Sequence, residues 1–261
     1  MDSLPLSVLL LARDEAARLE PLLPSLGFAR EVVVVVDSAT LDRTREIAAA
    51  HGARVVERAL EDFGLQRRFG LEQCREPWVL WIDADERLDE VGVAALRAVI
   101  AGAGAGPSAT PAANGYRIER RTWFLGRRIR FSGWRGEKVL RLFRREAARF
   151  EASHVHEQVT VSGPIADLAG VLEHRSYESW DDCSVKLVRY AAAGAEKARQ
   201  LGRRAGPLDI VVRPPLRFLR TYLLQGGVLD GSRGLAVCAL GAAHIFLKYF
   251  ELWLDPAGRR R

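Results

Sequence analysis

The sequence predicts a doubly wound α/β sheet followed by a helical extension. Three observations predict it. Short apolar runs alternate with helical patterns from Leu6 to Ile82, the signature of strand–helix–strand units. One run, Glu31-Val-Val-Val-Val-Val-Asp37, holds five consecutive valines, as strands buried on both faces of a parallel sheet do. The runs end in polar clusters, Arg13-Asp14-Glu15, Asp37 and Asp83-Ala84-Asp85. Such a fold gathers these clusters on one rim, outside the carboxyl ends of its strands.

Leu6 to Ala12 is the first strand. Because Arg13-Asp14-Glu15 interrupts its apolar run and no basic segment precedes it, it reads as a strand and not as a signal peptide. A helix follows with Leu19, Leu22, Leu23 and Leu26 at helical spacing, made short or irregular by Pro21 and Pro24. The valine strand ends at Asp37, and the polar turn Asp37 to Asp42 leads into a helix from Arg43 to His51, stopped at Gly52. Arg54 to Glu57 is a third, short strand, and Phe63 opens a helix that ends near Cys74.

Trp78-Val-Leu-Trp-Ile-Asp-Ala-Asp-Glu86 is the stretch richest in chemistry. Its apolar half reads as a buried strand, and its carboxylates belong where that strand emerges, because an unpartnered buried acid is expensive. Asp83 and Asp85 share a face if the strand continues, and a turn at Ala84 aims them separately. Oxygen ligands at a sheet edge suit Mg²⁺ or Mn²⁺ on a diphosphate. They equally suit the start of a helix over Val91 to Leu96, where acids are favoured.

The chain has 261 residues, 48% hydrophobic and 28% charged, enough for one or two globular units. Its net charge of +6 favours acidic partners: nucleic acid, anionic lipid or phosphorylated substrate. Three distant cysteines, Cys74, Cys183 and Cys238, indicate neither a disulfide framework nor a zinc site and fit a reducing compartment.

Residues 101–113 are small and uncharged, a surface loop. Beyond them, Tyr116 to Arg120 alternates, and Lys138 to Arg144 reads as a strand with one buried face. Between lies a basic, aromatic segment from Trp123 to Glu137, with Trp134 and Arg135 near its end. Such a segment binds nucleic acid, or sugars and phosphates through aromatic faces and Arg. No nucleic-acid motif accompanies it, so sugar-phosphate ranks higher. Ser153-His-Val-His-Glu-Gln-Val159 groups His154, His156 and Glu157. A zinc site lacks its third ligand, whereas a carboxylate beside a His makes a general-base candidate.

From Tyr177 the chain turns helical. Arg213 to Leu224 mixes Arg with large apolar side chains, Gly226-Gly227 breaks the pattern, and Gly234 to Leu247 is free of Asp, Glu, Lys and Arg. That last segment is short of the roughly 20 residues that span a bilayer. It reads either as half of a packed hairpin or, preferred here, as part of a monotopic anchor with Trp253 and Arg residues at an anionic surface.

These residues resemble a known family. Leu6 to Glu15, Val33 to Thr44, Phe63 to Arg67 and Trp81 to Glu86 match, in order and spacing, the motifs of family 2 glycosyltransferases. These are inverting enzymes with a GT-A (Rossmann-like) fold, and the fourth segment carries their D-x-D motif. Phe124-Leu-Gly, Gly133-Trp134, Leu140 to Arg144, Val155-His-Glu157, His174 to Tyr177, Tyr190 and Leu229-Asp-Gly231 resemble the bacterial branch that includes lipopolysaccharide inner-core β-1,4-glucosyltransferases. The resemblance implies a GT-A domain over residues 1–180, with a nucleotide-binding half (1–100) and an acceptor half (116–180). Residues 181–261 are expected to form a helical region, with membrane association as the reading preferred above.

The resemblance also implies roles. Ala12, Arg13, Glu15 and Asp37 hold the nucleoside, with Gln66 and Arg67 nearby. Asp83, Ala84 and Asp85 hold the donor, and Asp85, with Asp83, holds Mg²⁺ or Mn²⁺. Glu157 is the base, and Trp134, Arg135 and His156 face the acceptor. The partners are a nucleotide-sugar donor, a glycan or glycolipid acceptor and the inner face of the cytoplasmic membrane, with no nucleic acid and a cytoplasmic, peripheral location. Arg13 stands where the family usually has Asn, and Arg135-Gly-Glu137 replaces a stretch that usually carries Tyr-Pro-Asp.

Two competing readings remain. A nucleotidyltransferase also pairs carboxylates with metal at a sheet edge, but residues 6–20 lack its Gly-rich loop and Lys. A membrane-associated nucleic-acid or partner-binding protein explains the charge and the Trp123–Arg135 segment but leaves Asp37, Asp83 and Asp85 unexplained.

Overall fold

The computed structural model describes residues 3–60, 62–102, 113–150 and 159–258. The chain divides into two units: residues 1–120 with 138–174, and residues 121–137 with 175–261. The second unit joins the basic, aromatic segment to the chain from Arg175 onward.

The first unit is built on β1 (Leu4–Ala12), α1 (Ala16–Leu22), β2 (Ala29–Asp37), α2 (Thr44–Ala50), β3 (Arg54–Arg58), α3 (Phe63–Gln73) and β4 (Trp78–Trp81). Then follow β5 (Glu86–Leu88), α4 (Glu90–Ile100) and β6 (Gly115–Phe124). A two-residue strand, β7 (Arg127–Arg128), pairs with β6, and β8 (Lys138–Arg144), β9 (Ala148–Phe150), β10 (Val159–Val161) and β11 (Ile165–Tyr177) complete the strands. β6 and β11 run from the first unit into the second.

The main sheet has nine strands in the order β3-β2-β1-β4-β8-β6-β11-β5, with β7 beside β6. β1 to β4 are parallel; β8, β6 and β5 pair antiparallel. The doubly wound mixed sheet expected from the sequence is therefore the one observed.

The valine run explains the layering. Alternate side chains of a strand point to opposite faces. Val34 and Val36 join Leu6, Val8 and Leu10 in a core closed by Leu19 and Leu22 of α1 and Leu96 of α4. Val33 and Val35 join Leu9, Trp81 and Phe143 in a second core under Leu71 of α3. Gly70 on α3 permits this second contact, since a Cβ there would lie 2.6 Å from the Leu9 side chain.

Two strands depart from expectation. The chain does not pass from the acid stretch straight into a helix: Glu86 to Leu88 first pairs with β11, and Asp89 caps α4 by accepting from Gly92 N–H at 2.8 Å. β11, 13 residues long, occupies a stretch with no strand signal. Gly170 lets it cross α4: its φ is +99°, and a Cβ would meet Gly92 at 2.3 Å.

In the second unit, α5 (Trp180–Gln200), α6 (Pro207–Leu219) and α7 (Gly231–Leu254) pack together. Ser179 caps α5, its hydroxyl accepting from Asp182 N–H at 3.0 Å. Ala195 and Ala198 of α5 are small enough to admit Leu252 of α7. Arg199 ties the two helices, donating to Glu196, Glu251 and the Asp255 carbonyl. Pro214 and Pro215 interrupt the hydrogen bonding of α6, whose continuation over 220–224 is a wide π turn. The predicted break at Gly226-Gly227 is present, with Gly226 at φ +70°. One helical stretch, Gly227–Leu254, is long and apolar enough by length and composition to cross a membrane.

Candidate active site

The loops after β1 and β2 are laced together. Asp14, at φ +53°, accepts from Leu41 N–H at 2.7 Å and from Asp42 N–H at 3.3 Å. Asp42 in turn accepts from Ala16 N–H at 3.0 Å, and Glu15 N–H donates to the Thr44 hydroxyl at 2.8 Å. These bonds explain the residue types in Asp37-Ser-Ala-Thr-Leu-Asp-Arg-Thr44: Asp42 and Thr44 hold the first loop in place. The Glu15 carboxylate pairs with Arg18 at 2.8 Å.

Asp37 lies at the end of β2, 4% exposed. Its Oδ1 accepts from Ala39 N–H at 3.1 Å and Leu60 N–H at 3.2 Å, and its Oδ2 lies 3.2 Å from Arg13. The Ala39 amide, aided by that of Leu60 and by Arg13 and Arg45, holds the carboxyl below its ordinary range despite burial. Gln66 on α3 is buried and donates to the Arg58 carbonyl at 3.1 Å. Asp37 Oδ2, Thr40 Oγ1 and Gln66 Oε1 are buried acceptors that accept no hydrogen bond. An acceptor-rich cradle of this kind suits a ligand that brings N–H and O–H donors, as a nucleoside does. Ala12 ends β1 beside it, paired with Val36 of β2.

β4 ends in a tight turn. Glu86 N–H donates to the Asp83 carbonyl at 3.0 Å, and Asp83 N–H donates back to Glu86 Oε2 at 3.1 Å. The turn falls at Ala84 and Asp85, so Asp83 and Asp85 do not share a strand face. Arg141 of β8 organises the acids. Its Nη2 lies 2.9 Å from Asp83 Oδ2 and 2.7 Å from Glu86 Oε1. Arg120 stands 3.6 Å from Glu86, and His174 Nε2 stands 3.5 Å from Asp85 Oδ2.

Glu86 is fully buried. Burial pushes its carboxyl up, against the pull of Arg141. Burial opposes the charge on Arg141 too, but Glu86 and then Asp83 outweigh it and hold the guanidinium charged. The same guanidinium stacks 4.2 Å from the Trp81 ring, and that of Arg67 stacks 4.6 Å from the same ring.

Arg141 escaped the sequence reading, although a signal existed. An arginine inside Lys138-Val-Leu-Arg-Leu-Phe-Arg144, flanked by residues that become core, demands a buried carboxylate. Glu86 is that carboxylate.

Among the described residues no three His, Cys, Asp or Glu side chains cluster closely enough to hold a metal. Asp83 meets Arg141 through one oxygen and Asp85 faces His174, so both carboxylates of the turn are engaged in contacts within the protein. Oxygen ligands of this kind suit Mg²⁺ or Mn²⁺.

Trp134 and Arg135 belong to the second unit. Trp134 stacks on Tyr177 at 6.0 Å, and Arg135 lies over Phe131 at 5.6 Å. Their loop is pinned by Asp230, which accepts from Arg130 and Phe131 N–H and from the Ser132 hydroxyl at 2.9–3.0 Å. That is the structural role of Leu229-Asp-Gly231. Glu157 and His156, with His154, lie outside the described residues.

The carboxylates and buried acceptors, Gln66 of α3 apart, lie at the ends of β1, β2 and β4 of a doubly wound sheet. Residues 7–161 match the model of glycosyl transferase family 2. Over 268 aligned positions the chain is 31% identical to the lipopolysaccharide core biosynthesis glycosyltransferase LpsC of Rhizobium meliloti, covering 99% of this chain and 95% of that one. It is 23% identical to an uncharacterised glycosyltransferase of Rickettsia typhi, covering 95% and 86%. Among solved structures, TarS of S. aureus superposes over 98% of this chain and 93% of that one, with a TM-score of 0.46 and 14% identity. The chain belongs to glycosyl transferase family 2, and its fold is of the GT-A class.

Proposed function

We propose that the protein transfers a hexose, glucose in our reading, from a UDP-sugar to a lipopolysaccharide-core or other lipid-linked glycan, with inversion. The acceptor rests on the name carried by the Rhizobium meliloti relative, and glucose and UDP on the motif resemblance. The observation that carries the donor half is the pairing of two features on one sheet. One is the Asp83–Glu86 turn locked by Arg141; the other is the acceptor-rich cradle of Asp37, Thr40 and Gln66.

In this reading Asp37 and Gln66 accept from the nucleoside, and Arg13, across from Asp37, closes over it. Asp85, with Asp83, would hold a divalent cation, Mg²⁺ or Mn²⁺, and such an ion would supply neutralisation of the charge on the departing diphosphate. Arg141 keeps the turn rigid, so Asp85 is presented in one orientation. The acceptor hydroxyl forms its new C–O bond at the anomeric carbon from the face opposite the diphosphate. The bond from that carbon to the diphosphate oxygen breaks, and Glu157 receives the hydroxyl proton. A single displacement inverts the anomeric centre.

The work takes place at the cytoplasmic membrane surface. Support for that location lies in α6, whose Leu208, Val211, Val212, Leu216 and Leu219 are exposed at helical spacing among Arg213, Arg217 and Arg220.

Incubating the protein with UDP-glucose, Mn²⁺ and lipid-linked core saccharide tests the reading, with the product linkage followed by NMR. A new β linkage is expected, and Glu157→Gln is expected to retain UDP while losing about 10²–10⁴-fold in turnover. An α-linked product, or full turnover in Glu157→Gln, would sink the mechanism.

A further inference from the structure

The second unit encloses a cavity of about 410 Å³, within the range that takes a small amphiphile. Its walls are Phe124, Trp134, Tyr177, Leu187, Leu240 and Ile245. The floor and the mouth differ. Phe124, Cys183 and Cys238, which line it, are almost fully buried, whereas Tyr190 and Arg217, which also line it, are exposed. The exposed residues mark the opening, so a cationic mouth leads to an apolar floor.

Ser132, Tyr177, Tyr190, Arg217, Thr221 and His244 bring polar groups to the lining, and the Ser132 hydroxyl is spent on Asp230. The Thr221 hydroxyl is spent on the carbonyls of Arg217 and Phe218, at 2.9 and 3.2 Å. Burial, with Lys248 and Arg217 nearby, pushes His244 down, so its imidazole is neutral at pH 7. Among the described residues no carboxylate pairs with the Arg217 guanidinium. Arg217 also sits beside Leu216, in the exposed apolar stripe of α6. An empty space of this size between packed helices is far larger than a packing defect. Its surface is mostly carbon, which suits a hydrocarbon chain better than a sugar or a nucleotide.

We propose that this cavity binds one hydrocarbon chain of an anionic amphiphile, the chain on the floor formed by Phe124 and α7 and the anionic group against Arg217. The chemistry is that of a fatty acid or of a phosphorylated lipid's acyl chain. The binding needs neither donor nor acceptor sugar, so its failure would leave the transferase reading intact.

Gly241 of α7 supplies the test. It lines the cavity, and a Cβ there meets nothing within 4 Å except Arg217 Nε at 3.9 Å. Gly241→Leu therefore fills the cavity from a helical position without a backbone clash. The probe is dansylaminoundecanoate on the full chain, displaced in turn by myristate, dodecyl phosphate, tetradecanol and inorganic phosphate.

Saturable one-to-one binding is expected, with displacement by myristate and dodecyl phosphate and none by inorganic phosphate. Stronger displacement by dodecyl phosphate than by myristate would point to a phosphorylated lipid, the reverse to a free fatty acid. Gly241→Leu should weaken the probe about tenfold or more, with its urea midpoint unchanged or raised. Arg217→Gln should weaken myristate about tenfold and leave tetradecanol within about twofold. Val237→Phe, one turn earlier on the same face of α7, replaces Gly241→Leu should that variant not fold. Non-saturable binding, wild-type affinity in the filled variant, or displacement by inorganic phosphate alone would overturn the proposal.

Discussion

The two units solve the problem of charge in opposite ways. The first carries a net −5 and the second +11, the latter holding 20 of the chain's 39 Lys and Arg but 9 of its 33 Asp and Glu. In the first unit the site charges are matched: Asp37 to Arg13 and two amides, Asp83 and Glu86 to Arg141. In the second, Arg213 pairs with Asp209, but Arg217 and Arg220 meet no carboxylate among the described residues and lie along the same exposed stretch as bare leucines and valines. Matched charges preorganise a site; a cationic, apolar face is suited to an anionic lipid surface. The chain's modest +6 averages these two regions and describes neither.

The contrast predicts three effects, the largest in the first unit. Arg141→Met leaves Glu86 buried without its nearest cation. It should lower unfolding stability by about 3–5 kcal/mol in urea titrations. A loss under about 1 kcal/mol would mean that the buried cluster is not matched as described. The next effect belongs to the second unit. Leu216→Glu combined with Leu219→Glu should reduce co-flotation with phosphatidylglycerol-rich vesicles about a hundredfold or more. Stability should move by less than about 0.5 kcal/mol, because both side chains are exposed. Undiminished flotation would remove α6 as the contact face.

The smallest effect sharpens the first half of the comparison. The Asp37 carboxyl is held below its ordinary range chiefly by the Ala39 amide; hydrogen bonds from Thr44 and the Ala16 amide hold Asp42 low against its burial. A depressed folded value contributes stability above the unfolded value, near pH 4. That contribution disappears as pH falls through the lower folded value. Urea midpoints measured from pH 6 down to pH 2 should fall, and Asp37→Asn should flatten that decline. An unchanged acid limb in the variant would contradict the hydrogen bonding at Asp37.

The parallel half of the sheet was legible because its information is local. Val32 to Val36 declares burial on both faces, and Asp83-Ala-Asp85 declares a strand's emergence. Gly226-Gly227 likewise marks the break between α6 and α7. β11 was not legible, since Ile165 to Tyr177 has neither an apolar run nor clean alternation. It becomes a strand through long-range pairing with β5 and β6. The role of Arg141 was hidden for a related reason. Its partners, Asp83 and Glu86, lie more than 50 positions away, and no local pattern links them. The cavity of the second unit depends on three helices, the ends of β6 and β11 and a loop, and no single segment announces it.

The donor site remains the central claim, and calorimetric titration of UDP, GDP and CMP tests it most directly, with Mn²⁺ and with chelator, on wild type and Asp85→Ala. Because no three ligating side chains cluster among the described residues, Mn²⁺ alone should bind weakly. One nucleotide, UDP in this account, should bind tightly only with Mn²⁺, and that binding should vanish in Asp85→Ala. Nucleotide binding that ignores both the metal and Asp85, or no binding by folded protein, would contradict the account.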